Sequence, residues 1–86
     1  MNSKSFVTRA RVFVTEEMKH PDPAYRIKVV ESLLVLNPQQ RKVFLQRFAN
    51  RSFGRIAERF GLSRERVKQH EYKSIKKMKA YLCQTN

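Results

Sequence analysis

Arg64, Glu65, Arg66, Lys68 and Gln69 lie within one short stretch, directly after Gly61-Leu62-Ser63. Their side chains match base edges. A guanidinium can bond guanine O6 and N7 together, a glutamine amide can pair with adenine, and a carboxylate can accept from cytosine N4. Arg51, Arg55, Arg59, Lys73, Lys76 and Lys77 surround them in the sequence. Such cations reach phosphates, and phosphate contacts position a protein without reading sequence. Arg66 suits either role, backbone or base. On spacing and charge alone, a solvated or protein-binding basic face is the competing reading.

Few other residues offer chemistry. His20 and His70 stand singly, and no Cys/His cluster has zinc spacing, so no metal is expected. Cys83 is the lone cysteine and has no identifiable base to activate it. No glycine loop would cradle a phosphate, and the seven carboxylates form no acid–base pair. The chain is expected to be no enzyme and to need no cofactor. Tyr72 and Tyr81 read as packing residues, and Phe6 and Phe13 as either core or a docking face.

Composition agrees with a polyanion partner. Nineteen Lys and Arg against seven Asp and Glu give a net charge of +12 on 86 residues. That exceeds the magnitude of about 2–8 that solubility alone favours in a small domain, and such a field repels itself unless a polyanion neutralises it. Residues 41–86 hold thirteen of the basic side chains and three of the acidic ones, so the excess lies in the second half. The chain has no apolar run long enough for a membrane span. With one cysteine and no secretion signal, it is expected in a reducing cytosol.

The elements that must position these residues read as helices. Only two glycines and three prolines interrupt the chain. Between residues 6 and 19, Val7, Ala10, Val14 and Met18 fall at helical spacing, widened by Phe6 and Phe13, although the β-branched residues there favour a strand. Asp22-Pro23 is a helix start, with Val29, Val30, Leu33 and Leu34 as its buried stripe. Asn37-Pro38-Gln39-Gln40 is another, with a capping-box glutamine, and Val43, Phe44 and Phe48 face inward after it. Ser52 caps a short helix whose Phe53, Ile56, Ala57 and Phe60 share one face. Gly61 ends that helix, and Ser63 caps a last one to about Leu82, with Val67, Ser74, Ile75, Met78 and Leu82 inward. The expected fold is all-α: a small domain of four to five helices with a C-terminal helix-turn-helix. Residues 1–21 read as an N-terminal extension with helical spacing, and residues 22–86 as the helix-turn-helix domain.

Two blocks carry a family resemblance. Leu36-Asn37-Pro38-Gln39-Gln40-Arg41-Lys42-Val43-Phe44, then Arg47-Phe48, resembles the opening of region four in bacterial RNA polymerase sigma factors. Ile56 to Gln69 resembles that region's helix-turn-helix, and Arg64-Glu65-Arg66-Val67-Lys68-Gln69 followed by Glu71 resembles its housekeeping-type version. Together with Asp22-Pro23, the resemblance covers about residues 22–80. It implies double-stranded DNA as partner, with a promoter −35-like element read by Arg64, Glu65, Lys68 and Gln69. It also implies docking on the flap of the polymerase β subunit, with Leu45, Phe48 and Phe53 as candidates. Three features depart from the family. Arg55 stands where a capping Glu is usual, His70 where Ile is usual, and nothing resembles the promoter-melting or core-binding regions, so this chain alone should not open a promoter.

The resemblance places the chain in the cytoplasm of a bacterial or phage-infected cell, with the nucleoid. It implies a sequence-specific DNA-binding regulator that engages the polymerase. Two alternatives stand beside it. One is a polymerase-binding module that displaces or redirects the resident sigma domain. The other is a LuxR-type regulator, whose recognition helix Val67-Lys68-x-His70 also resembles. The Met1 start argues against a fragment of a full sigma factor.

Overall fold

In the computed structural model, residues 7–84 are described. They form five α-helices and a 3-10 turn, with no strand among the described residues. The helices are α1 (Arg9–Glu17), α2 (Pro23–Glu31), α3 (Pro38–Phe48), α4 (Phe53–Phe60) and α5 (Arg64–Cys83), and the 3-10 turn is Ser32–Val35. The expected all-α fold with a C-terminal helix-turn-helix is therefore what the chain adopts.

Each helix starts where a side chain can satisfy its free N–H groups. The Asp22 carboxylate accepts from the Ala24 N–H at 3.0 Å, with Pro23 in the first turn. Asn37 and Gln40 form the reciprocal capping box, at 2.8 and 3.1 Å. Ser52 and Ser63 accept from the Arg55 and Arg66 N–H groups, at 3.2 and 3.0 Å. Gly61 takes the left-handed conformation at φ 66° and closes α4. Thr8 caps α1 by accepting from the Arg11 N–H at 3.2 Å, which settles the 6–19 segment as helix over residues 9–17.

Two apolar clusters hold these helices together, with α3 between them. Phe44 faces the first, with Ala10, Phe13, Val29, Leu36, Met78 and Leu82. Val43 faces the second, with Ile56, Ala57 and Val67. Residues 9–17 thus share the core of the residues that follow.

The expected stripes need correction at both ends. Val30 and Leu34 are 56% and 73% exposed, not buried. α2 stops at Glu31, and the tighter 3-10 turn rotates Leu34 outward while Leu36 takes the core position. Val7 and Met18 are exposed because α1 is only nine residues long and both lie outside it. Phe6 lies outside the described residues. Phe48 and Ile75 are half-buried, and the other expected inward residues of α3 and α5 are buried.

Candidate nucleic-acid interface

The helix-turn-helix corner is built from small and branched side chains. Ala57 lets α4 approach α5, Ile56 and Val67 are fully enclosed, and Leu62 packs on them. The Leu62 N–H donates to the Ala57 carbonyl at 2.8 Å and fixes the turn. α5 then presents Arg64, Glu65, Arg66, Lys68 and Gln69 to solvent, all exposed, while Val67 alone in that run points inward. The structure gathers the five candidate base-contacting residues onto the first turns of one helix.

Two of them are pre-positioned by α4. A Cβ on Gly54 would meet Arg64 Nη2 at 3.0 Å, so the guanidinium lies across the first turn of α4 in space that glycine leaves open. Glycine within a short helix costs about 1 kcal/mol relative to alanine and asks for a packing reason. Sequence reading passed over Gly54, although that cost was the available signal. The Lys68 ammonium sits 5.5 Å from the centroid of the Phe53 ring, which also carries the Arg47 guanidinium at 3.7 Å.

The surrounding cations divide into groups. Arg51, Arg55 and Arg59 line one open cleft of 390 Å³ with Gln46, Ile56 and Glu58. Lys76 lies over the Tyr72 ring at 5.5 Å, leaving Tyr72 58% exposed. Lys77 donates to Gln40 Oε1 at 3.1 Å and so joins α5 to α3. Lys73 and Arg66 flank His70. Burial first, and then those two cations, hold the His70 pKa below the usual imidazole value.

Glu71 has a role that its place in the sequence does not announce. It is 2% exposed, and its Oε1 pairs with Arg47 Nε at 3.1 Å. Its Oε2 accepts from the Ala10 N–H at 2.9 Å. Arg47 Nη1 in turn donates to the Arg51 carbonyl at 2.8 Å, in the turn before α4. One carboxylate on the recognition helix therefore ties α5 to α3 and to the start of α1. Asn50 completes that turn at φ 64°, a conformation asparagine tolerates better than most residues.

The three polymerase-facing candidates do not stay together. Leu45 and Phe48 border a 240 Å³ groove with Val14, Met18, Val29, Val30, Leu33, Phe44 and Met78. Phe53 lies instead on the α5 side, lining a cleft with Arg9, Lys68, Glu71 and Tyr72. Arg11 stands at 4.9 Å from the Phe48 ring centroid, and Arg41 bonds the Leu33 and Leu36 carbonyls at 3.1 and 2.8 Å.

The model of the family described as sigma-70, region 4 matches residues 32–80, more than half of the chain. This chain belongs to the sigma-70 region 4 family. The match runs from the 3-10 turn through α5, so α1 and α2 lie outside it. No curated protein and no solved structure matches. Region 4 membership assigns the chain to DNA binding in RNA polymerase-related transcription, a transcription-factor role and not an enzyme family, and decides against the LuxR alternative. Among the described residues of this region 4 protein, no helix is long and apolar enough to cross a membrane. No group of three or more His, Cys, Asp or Glu residues could hold a metal among them.

Proposed function

We propose that this chain is a sequence-specific DNA-binding regulator that reads a promoter −35-like element with Arg64, Glu65, Lys68 and Gln69. The observation that carries the reading is the exposed polar run at the start of α5, on a capped and tightly packed corner. Arg51, Arg55, Arg59, Arg66, Lys73, Lys76 and Lys77 supply phosphate contacts around it, with Lys77 steadied by Gln40. Strand opening is left outside this role. Residues 22–86 serve as the recognition unit and residues 1–21 as its extension, of which Ala10 and Phe13 pack into the shared core.

The same chain docks on the β-subunit flap of the polymerase. The groove beside Leu45 and Phe48 is lined by apolar side chains, and Arg11 and Arg41 stand at its edges. An apolar segment with acidic flanks suits that arrangement, and the family's link to polymerase supplies the partner. If docking dominates and DNA is secondary, the chain acts by displacing or redirecting the resident sigma domain.

Binding to duplex DNA across a salt series tests the first reading. Neutralising about four to eight phosphates gives a log–log slope of roughly −4 to −7. A slope near zero, or no binding in low salt, removes the DNA reading and leaves the docking one. Binding of a flap fragment to the wild-type chain tests the second.

A further inference from the structure

The family match leaves α1 outside, yet the first turn of α1 is fastened to the DNA-reading corner. The Thr8 hydroxyl donates to the Arg47 carbonyl at 2.5 Å, the Ala10 N–H to Glu71 at 2.9 Å, and Arg11 Nη1 to the Phe48 carbonyl at 3.0 Å. These bonds bracket Arg9, the first helical residue, and fix where its side chain starts.

Arg9 is exposed and lines a 350 Å³ cleft with Phe53, Lys68, Glu71 and Tyr72. Among the described residues, Glu71 is the only carboxylate lining that cleft. Its oxygens are already engaged by Arg47 and by the Ala10 N–H, so its charge is met from within the protein. Among the described residues no carboxylate forms an ion pair with Arg9. The cleft therefore offers two cations, an exposed phenol and the positive end of the α1 dipole. It adjoins Lys68 on the helix that carries the base-contacting candidates.

We propose that Arg9 is a DNA phosphate contact, so that α1 extends the interface beyond the family's helix-turn-helix. The proposal rests on the reading of α5 as the base-reading helix. A duplex seated on the first turns of α5 runs its backbone past the flanks of that helix, where position-fixing contacts are made. Arg9 reaches that backbone from a latched helix, so little ordering of the chain is needed on binding. Arginine suits the role because its fork can bond two phosphate oxygens together.

Titration of labelled duplex DNA at several salt concentrations tests this. Arg9→Gln is expected to weaken all sequences alike, by roughly three- to tenfold in low salt, and to make the log–log slope shallower by about 0.9. Arg9→Lys is expected to retain the wild-type slope. Lys19→Gln removes the same charge beyond the far end of α1, where Lys19 pairs with Glu16 at 3.2 Å, and is expected to leave the slope unchanged. If glutamine at the first helical position lowers the melting temperature, Arg9→Met repeats the measurement with the alkyl shaft retained. A wild-type slope in Arg9→Gln, or an equal change in Lys19→Gln, overturns the proposal. If discrimination is still lost in Arg64→Ala, the helix-turn-helix reading survives that failure. A wild-type chain that binds no duplex in low salt overturns both.

Discussion

Around Val43, Ile56, Ala57 and Val67 the apolar layer is thin, and the exposed surface beyond it is polar and mostly charged. Around Ala10, Val29, Phe44 and Met78 the core is larger, and exposed Val30 and Leu45 border the apolar groove beside it. The first region is a small frame for a polar surface, and its helices are held by caps, a glycine turn and cation–ring contacts as much as by burial. The second keeps apolar surface in contact with water, which a monomer has no folding reason to retain in a contiguous patch. The difference separates two tasks on one small chain. In the proposed role the corner carries charge to DNA, and the flank supplies the groove for the polymerase flap.

The joint between the regions should give the largest effect when broken. Arg47 and Glu71 are 4% and 2% exposed and pair across α3 and α5. Removing one partner strands the other's charge in a dry site, at a cost of about 3–5 kcal/mol. For a domain of this size that lowers the melting temperature by at least about 12 °C. Glu71→Ala should therefore melt far below wild type, followed by circular dichroism. Replacing both, as Arg47→Met with Glu71→Leu, should recover part of the loss. The Ala10 N–H would still lack its acceptor, a residual cost of about 1–3 kcal/mol. If Glu71→Ala melts within a few degrees of wild type, the joint is not what couples the regions.

Much of the corner was legible in the sequence because its signals are local. Ser52, Gly61 and Ser63 act within a few residues of where they stand, and Phe53, Ile56, Ala57 and Phe60 mark their face by spacing alone. The joint was not legible for the opposite reason. Arg47, Glu71 and Ala10 come from three separate helices, and no spacing rule pairs a carboxylate with the start of a distant helix. Leu34 escapes the hydrophobic period because α2 does not continue: the chain tightens into a 3-10 turn at Ser32. Phe53 and Leu45 are near in sequence, but α3 and α4 present them to different sides.

The flank can be broken without touching the corner. Leu45 is 45% exposed and borders the apolar groove, so Leu45→Asp should fold normally, within about 0.5 kcal/mol of wild type. A charge set into an apolar interface should then cost about 2 kcal/mol or more in flap binding, roughly thirtyfold. Duplex binding should be nearly unaffected. A folded Leu45→Asp that binds a flap fragment as wild type does would move the docking surface away from this groove.

The corner can be divided in turn. Arg64→Ala should flatten discrimination at one base pair, by about 1–3 kcal/mol if the contact is bidentate. Lys76→Ala should weaken all sequences alike and reduce the salt slope by about one contact. Competition among duplexes that differ at single positions reads the two effects apart. Equal loss on every duplex for Arg64→Ala would place that residue on the backbone.

The smallest effect is expected at the seam between α1 and α2, and only in alkali. The Tyr25 hydroxyl donates to Glu17, and the ring stacks on His20 with centroids 4.2 Å apart. That hydrogen bond, then burial and the Glu17 charge, push the Tyr25 pKa up to about 12 from 10.0. The sign follows from proton binding. Between these two values the unfolded chain gives up the phenol proton and the folded chain keeps it, so stability falls as pH rises through this range and is unaffected by this group below it. The self-repulsion of a chain of charge +12 also falls as its net charge drops in alkali, so the wild-type curve alone does not isolate the tyrosine. The difference between wild type and Tyr25→Phe does. Thermal melts from pH 9 to 11.5 should show the variant slightly less stable at pH 9, by no more than about 1 kcal/mol for one hydrogen bond, and the two converging as pH rises. A gap that stays constant across the range would mean that Glu17 does not hold the phenol proton. The seam would then rest on ring packing alone.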